Sequence, residues 1–266
     1  MEKISAIVTC FNREDEIEEC LKSVSWVDEL IVVDSFSTDR TVDLAKKYAD
    51  LLLSHEYFSA AAQRNWTIPR ASHSWIMIID SDEVMPETLR DEIRAELEAP
   101  RHQRYRVWRT GIFLGREMKH GGWHRDQNNI LFKKDIYRFS DDEVHPILLP
   151  ESEYGIFENK LIHYTHRTID EFVEKAIKYA TWSSRKYLRQ GREGNPVNIL
   201  SHPVFNFVKN YLFHLGFMDG AHGLISAVMS SCYVAEKHAK LWELVRKEEK
   251  FTAETQRTQR KTEEII

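Results

Sequence analysis

Asp80 and Asp82 flank a single serine at the end of the run Trp75-Ile76-Met77-Ile78-Ile79, and Glu83 follows at once. A turn can aim two carboxylates spaced in this way at one point. Hard oxygen ligands at such a point suit Mg2+ or Mn2+ held jointly with the phosphates of a substrate. The preceding run is short, apolar and rich in isoleucine, the pattern of a strand buried on both faces of a parallel sheet. Open parallel sheets bind ligands beyond the carboxyl ends of their strands, where these acids fall. The same acids also fit a helix start, because Pro86 lies where a first turn would place it and carboxylates favour helix N-termini.

Three strands are expected before this one. Ile4–Cys10 reads as a buried strand, followed by the turn Phe11-Asn12-Arg13 and a helix from Glu14 to Val24 with Ile17, Leu21 and Val24 inward. Leu30–Val33 is a second strand ending in Asp34, and Thr38 or Asp39 can cap a helix reaching about Tyr48. Leu51–Leu53 is a short third strand, and Phe58–Arg70 is mostly helical. This alternation predicts βαβ units and a parallel sheet. Thr9, Asn12, Asp34, Asp80 and Asp82 then share one sheet edge, a placement that a nucleotide site requires and a purely structural sheet does not. Neither a Gly-x-Gly-x-x-Gly nor a Walker sequence occurs, which excludes a standard dinucleotide fold and a P-loop enzyme.

The composition is that of a soluble globular protein: 266 residues, 42% hydrophobic, 30% charged, with net charge -5. No basic field points to nucleic acid. Cys10, Cys20 and Cys232 form neither a metal-ligand spacing nor an even set and fit free thiols in a reducing cytoplasm. The chain enters a strand at once, leaving no room for a signal peptide, and no apolar run is long enough to span a membrane.

Four segments in order, Ile7–Asn12, Ile31–Asp39, Gln63-Arg64-Asn65 and Ile79–Asp82, resemble the signature of family 2 glycosyltransferases. The resemblance reaches to about Trp242. It implies an inverting enzyme of the GT-A (nucleotide-diphospho-sugar transferase) fold: an α/β protein with a mostly parallel central sheet flanked by helices and a C-terminal helical extension. It also implies a UDP-sugar donor. Thr9 and Phe11 would border base and ribose, with Asn12 in the same donor set. Asp34 would bond the base, and Arg64 would help hold the diphosphate or base. Asp80 and Asp82 would be the Asp-x-Asp, with Asp82 the more direct metal ligand. One departure stands out: the family often reads Asp-Asp-Gly-Ser after its second strand, and this chain reads Asp34-Ser35-Phe36-Ser37, so only Asp34 carries over.

In the second half, Pro86–Leu97 reads as a helix and Tyr105–Thr110 as a half-exposed strand. Gly121-Gly122-Trp123-His124 is expected to form an acceptor loop in which Trp123 stacks on a sugar, or else a tight turn around a packed tryptophan. Gly121-Gly122-Trp123, Asp126, Leu131–Lys134, Arg138-Phe139 and Val144-His145-Pro146 resemble the lipopolysaccharide-core β-1,4-glucosyltransferase branch, where the last triplet reads Val-His-Glu. Pro146 replaces that glutamate. Asp142, Glu143 and His145 remain candidates for the general base, with Asp126 outside the run. His163 and His166 fall on a closing strand, Leu161–His166, where a histidine can reach a metal or be structural.

The expected division is 1–166 catalytic (1–99 for the nucleotide sugar, 100–166 for the acceptor), 167–247 helical, and 248–266 a polar disordered tail. The aromatic stretch Pro203–Met218 is expected mainly to pack in the helical part, with one face free to touch the inner face of the inner membrane. The expected reaction moves glucose from UDP-glucose to a cell-envelope glycan or lipid-linked acceptor such as lipopolysaccharide inner core. The alternatives are a protein or capsule-precursor acceptor, and a nucleotide-sugar binder without catalysis.

Overall fold

The computed structural model describes residues 2–123, 126–141 and 146–263. Two compact units divide the chain: Met1–Met118 with Trp123–Thr165, and Lys119–Gly122 with His166–Ile266.

The first unit is built on a sheet of β1 (Ile4–Cys10), β2 (Glu29–Asp34), β3 (Leu51–Ser54), β4 (Trp75–Asp80), β5 (Glu83–Val84), β6 (Arg104–Phe113), β7 (Arg116–Glu117), β8 (Gln127–Lys133), β11 (Gly155–Ile156) and β12 (Leu161–His166). β9 (Arg138–Phe139) and β10 (Leu148–Leu149) form a separate pair. The main order of the sheet is β3-β2-β1-β4-β8-β6-β12-β5. Strands β1, β2, β3 and β4 run parallel. Beyond β4 the sheet turns antiparallel, through β8 and β6. β5 pairs with β12, placing Glu83 opposite His163. The antiparallel half answers the half-exposed pattern seen in the sequence, and it makes the sheet mixed rather than parallel throughout.

Alternation along the strands feeds two cores. Ala6, Val8, Met77 and Ile79 face one side, with Ile17, Leu21 and Val24 of α1 (Ile17–Val24). Leu89 and Ile93 of α4 (Glu87–Glu96) join them there. Ile7, Ile31, Val33, Ile76 and Ile78 face the other side, with Ala61 of α3 (Ala60–Thr67) and with Phe132 and Phe139. A strand covered on both faces has no polar side to show, which explains the unbroken apolar runs. α2 (Thr41–Ala45) is shorter than expected: Asp39 accepts from the Thr41 amide at 3.0 Å, but it also accepts from the Glu14 amide at 3.1 Å, and so serves the loop as much as the helix.

The second unit is helical. α5 (Ile169–Arg189) is capped by Thr168, which accepts from the Glu171 amide at 3.1 Å. α6 (Val197–Val208) runs on through a π turn, Lys209–Phe213, and α5 and α6 both pack against α7 (Gly220–Glu263). α7 continues through residues assigned to a tail in the sequence. Among the described residues, no helix is long and apolar enough to cross a membrane.

Gly223, in the first turn of α7, is packed against the preceding turn: a Cβ there would sit 1.8 Å from the Gly216 carbonyl oxygen. Gly223→Ala must therefore move backbone, and overpacking of this kind costs about 1–3 kcal/mol. A urea midpoint lowered accordingly is expected; an unchanged midpoint would show that the two turns separate freely.

Candidate active site

Parallel register brings the ends of β1, β2 and β4 to one edge. There the loops after β1 and β2 are stitched together. The Asn12 amide donates to Ser37 Oγ at 2.8 Å, the Thr38 amide donates to Asn12 Oδ1 at 2.9 Å, and the Arg13 amide donates to Thr41 Oγ1 at 2.6 Å. Asn12 is thus a loop-positioning residue as well as an edge residue. Thr9 is half-buried beside it, and Phe11 is exposed. Asp34 is buried, with its carboxylate accepting from the amide and hydroxyl of Ser37. Phe36 occupies the place where the family often has glycine; its φ is 62° and its ring is 61% exposed. A bulky residue in the left-handed region is uncommon and strained, and here it presents an aromatic face at the nucleotide edge.

Gln63, Arg64 and Asn65 of α3 each tie down a different segment. Gln63 donates to Ser35 Oγ at 2.9 Å, behind the β2 turn. Asn65 exchanges two hydrogen bonds with the backbone of Phe139, at 2.8 and 2.9 Å. Arg64 is buried, bonds Asp80 at 2.5 Å and lies over the Phe139 ring. The sequence marked Arg64 for the donor; the positioning work of its two neighbours was hidden, because their partners lie 28 and 74 residues away.

The acids after β4 are organised by Glu83, which the sequence reading left out of the site. Its carboxylate is fully buried, accepts from the Asp80 amide at 2.9 Å and bonds Arg109 at 3.0 Å. Arg109 also bonds Asp126 at 2.6 Å. His163 is mostly buried between two carboxylates, with Nε2 3.6 Å from Asp82 and Nδ1 3.8 Å from Asp126, and the Tyr164 amide donates to the Asp82 carbonyl at 2.8 Å. Burial, with the nearby Asp80 charge, pushes Glu83 up to about 7. Burial would lower His163, but the surrounding carboxylates of Asp126, Asp82 and Glu83 outweigh it and raise the imidazole to about 10. Burial would raise Asp126, yet His163 and Arg109 hold it down to about 2. The same contacts let the Asp126 carboxylate tie Arg109 to His163.

Four carboxylates (Asp80, Asp82, Glu83 and Asp126) face two guanidinium groups and one imidazole, so with Glu83 ionised the cluster keeps one surplus negative charge when His163 is charged. That surplus and the oxygen donors fit a divalent cation completed by substrate oxygens. A cage made by the protein alone does not fit: among the described residues, no three His, Cys, Asp or Glu groups converge as metal ligands. Asp80 is matched by Arg64 at 2.5 Å, and Asp82 lies 3.6 Å from His163 Nε2.

The acceptor side is described in part. Trp123 packs its six-membered ring over Gly111, where a Cβ would meet Cε3 at 2.5 Å, and lies 5.8 Å from Phe113, so the packed arrangement is present. In the second unit, His120 pairs with buried Asp219 at 3.1 Å, and His166 lies beside Phe172. His124, Asp142, Glu143 and His145 lie outside the described residues.

A mixed sheet with this strand order, an Asp-x-Asp at the end of β4 and polar residues gathered at the ends of β1 and β2 is the GT-A fold. Residues 5–149 match the profile of Glycosyl transferase family 2, and the chain belongs to that family of enzymes. Over 249 residues it is 25% identical to the lipopolysaccharide core biosynthesis glycosyltransferase LpsC of Rhizobium meliloti, covering 90% of this chain and 92% of LpsC. Among solved structures, TarS 1-349 of S. aureus in complex with UDP is 15% identical, with a TM-score of 0.46 over 92% of this chain and 91% of that one. Glucosyl-3-phosphoglycerate synthase of Mycobacterium tuberculosis, in complex with Mn2+, UDP and glucosyl-3-phosphoglycerate, is 24% identical, with a TM-score of 0.36 over 41% of this chain and 44% of that one.

Removing one member of a buried ion pair strands its partner at about 3–5 kcal/mol. Arg109→Met should therefore lower the urea stability by roughly that amount, and adding Glu83→Leu should recover part of the loss. A single variant as stable as the wild type would mean that Glu83 is neutral in the fold.

Proposed function

We propose that this glycosyltransferase is an inverting enzyme that moves a sugar, glucose in the first instance, from a UDP-sugar to a cell-envelope glycan of the lipopolysaccharide-core type. The observation that carries the reading is the placement of Asp80 and Asp82 at the carboxyl end of β4, in parallel register with the ends of β1 and β2. The acceptor class rests on the likeness to LpsC over most of both chains and on the motifs around Trp123.

In this reading Thr9, Phe11 and the turn holding Asn12 and Asp34 border the nucleoside. Arg64 sits beside the diphosphate and keeps Asp80 in place. Asp82, with Asp80 behind it, would hold Mg2+ or Mn2+. When bound, that cation supplies Lewis-acid stabilisation of the charge on the departing UDP. Glu83 and Arg109 fix the turn, so Asp82 meets the ligand without rearranging. His163 keeps Asp82 and Asp126 apart and oriented. The acceptor hydroxyl gives up its proton to one base in a single displacement. Asp142, Glu143 and His145 are the candidates for that base, with Asp126 outside the run. Trp123 and His124 would border the acceptor.

UDP release from a panel of UDP-sugars, with and without Mn2+, tests the reading. Wild type should release UDP in a Mn2+-dependent way, and Asp82→Ala should lose about 100-fold or more, the scale of removing one preorganised electrostatic partner. Donor that binds but never releases UDP, even with a lipopolysaccharide-core acceptor added, would favour a sugar-nucleotide binder, the reading that Pro146 in place of glutamate supports.

A further inference from the structure

α6 presents its apolar side outward. Val197, Leu200, Val204 and Phe205 are 55–73% exposed, and Leu212 and Phe213 of the following π turn are 51% and 74% exposed. The polar side faces the protein: Asn206 donates to Ser230 and Ser231 of α7 at 3.1 and 3.3 Å. At about 100° per residue, Asn206 lies across the helix from Val204 and Val208. No residue of α6 is fully buried. This is the reverse of a helix that packs its apolar face into a core, and the apolar ridge extends over at least four turns.

The ridge segment itself carries charge of one sign. From Asn195 to Met218 the chain contains no Asp or Glu; Lys209, His202 and His214 are its only basic residues. His202 stacks on His238, 4.4 Å between ring centroids, and His238 lies beside Tyr187. Arg192 and Lys237 both sit over the Tyr187 ring, at 4.0 and 5.0 Å, and neither has a carboxylate partner among the described residues. Glu193 and Glu236 are the acids immediately next to this group in sequence, and Glu236 is paired with Lys240 at 2.8 Å. A two-fold pairing of α6 with its own copy would bring these like charges together. An anionic, apolar-backed surface matches both features, and interfacial helices bind through this combination of buried apolar area and basic side chains.

We propose that the outward face of α6 docks this protein onto an anionic lipid bilayer, with Val197, Leu200, Val204 and Phe205 entering the headgroup boundary and Arg192, Lys209 and Lys237 meeting lipid phosphates. The contact is interfacial, since no described helix can span. It is independent of the sugar-transfer reading.

The test is co-sedimentation of the full chain with phosphatidylcholine vesicles and with vesicles in which a third of the lipid is phosphatidylglycerol. Wild type should pellet with the anionic vesicles and do so less at high salt. Leu200→Ser with Phe205→Ser should weaken that binding by about tenfold or more while leaving the thermal midpoint and UDP release unchanged. Arg192→Glu with Lys237→Glu, which leaves the ridge intact, should weaken binding to anionic vesicles alone. Wild type that stays in the supernatant, or variants that bind as well as wild type, would overturn the proposal. So would a dimer in sedimentation velocity that the serine variant dissolves without any vesicle binding; that result would assign the ridge to a second copy of the chain.

Discussion

The catalytic unit depends on a carboxylate buried where a carboxylate is least welcome. Glu83 follows the Asp-x-Asp directly, is wholly removed from water, and spends its two oxygens on the Asp80 amide and on Arg109. Burying an ion costs several kcal/mol unless a well-placed counter-ion and hydrogen bonds offset it. Arg109 meets that condition, and its second bond to Asp126 carries the constraint to the start of β8. On the other side, the β5–β12 pairing sets His163 against Glu83. The turn that bears Asp80 and Asp82 is thereby fixed from three directions, and Arg64 on α3 supplies a fourth. A site that must bind a cation and a diphosphate benefits from such rigidity, because no reorganisation remains to be done when charge develops.

Much of this was legible in the sequence. The apolar runs ending in Thr9-Cys10, Asp34, Leu53 and Asp80 predicted four strands and a shared edge, and parallel register bears that out. The family follows from the same segments. What the sequence withheld is coupling over distance. Arg109 reads as one polar position on a half-exposed strand, and nothing local says that its partners are Glu83 and Asp126. Glu83 itself looks like the start of a helix. His163 could be weighed as a ligand or as structure, and geometry places it between two carboxylates. Asp126 shows the same: the sequence offers it as a lone acid, and geometry joins it to Arg109 and His163.

Two departures from local expectation mark places where another demand wins. Phe36 accepts a left-handed backbone that glycine would adopt freely, and in exchange it puts an aromatic ring beside the nucleotide edge. α6 turns its apolar side to solvent while its asparagine faces a neighbouring helix. Composition alone made the aromatic stretch look like packing material; only the direction of Asn206 reveals which side is inward.

The central claim is that the fixed, negatively charged turn binds its nucleotide through a divalent cation held by Asp82. Calorimetric titration of UDP into the wild-type protein, with Mn2+ and with a chelator, tests it most directly. The account predicts affinity at least about tenfold higher with Mn2+, on the order of 1.4 kcal/mol. Equal affinity in the two conditions would contradict it, and would mean that Arg64 and the loop amides hold the diphosphate without a metal.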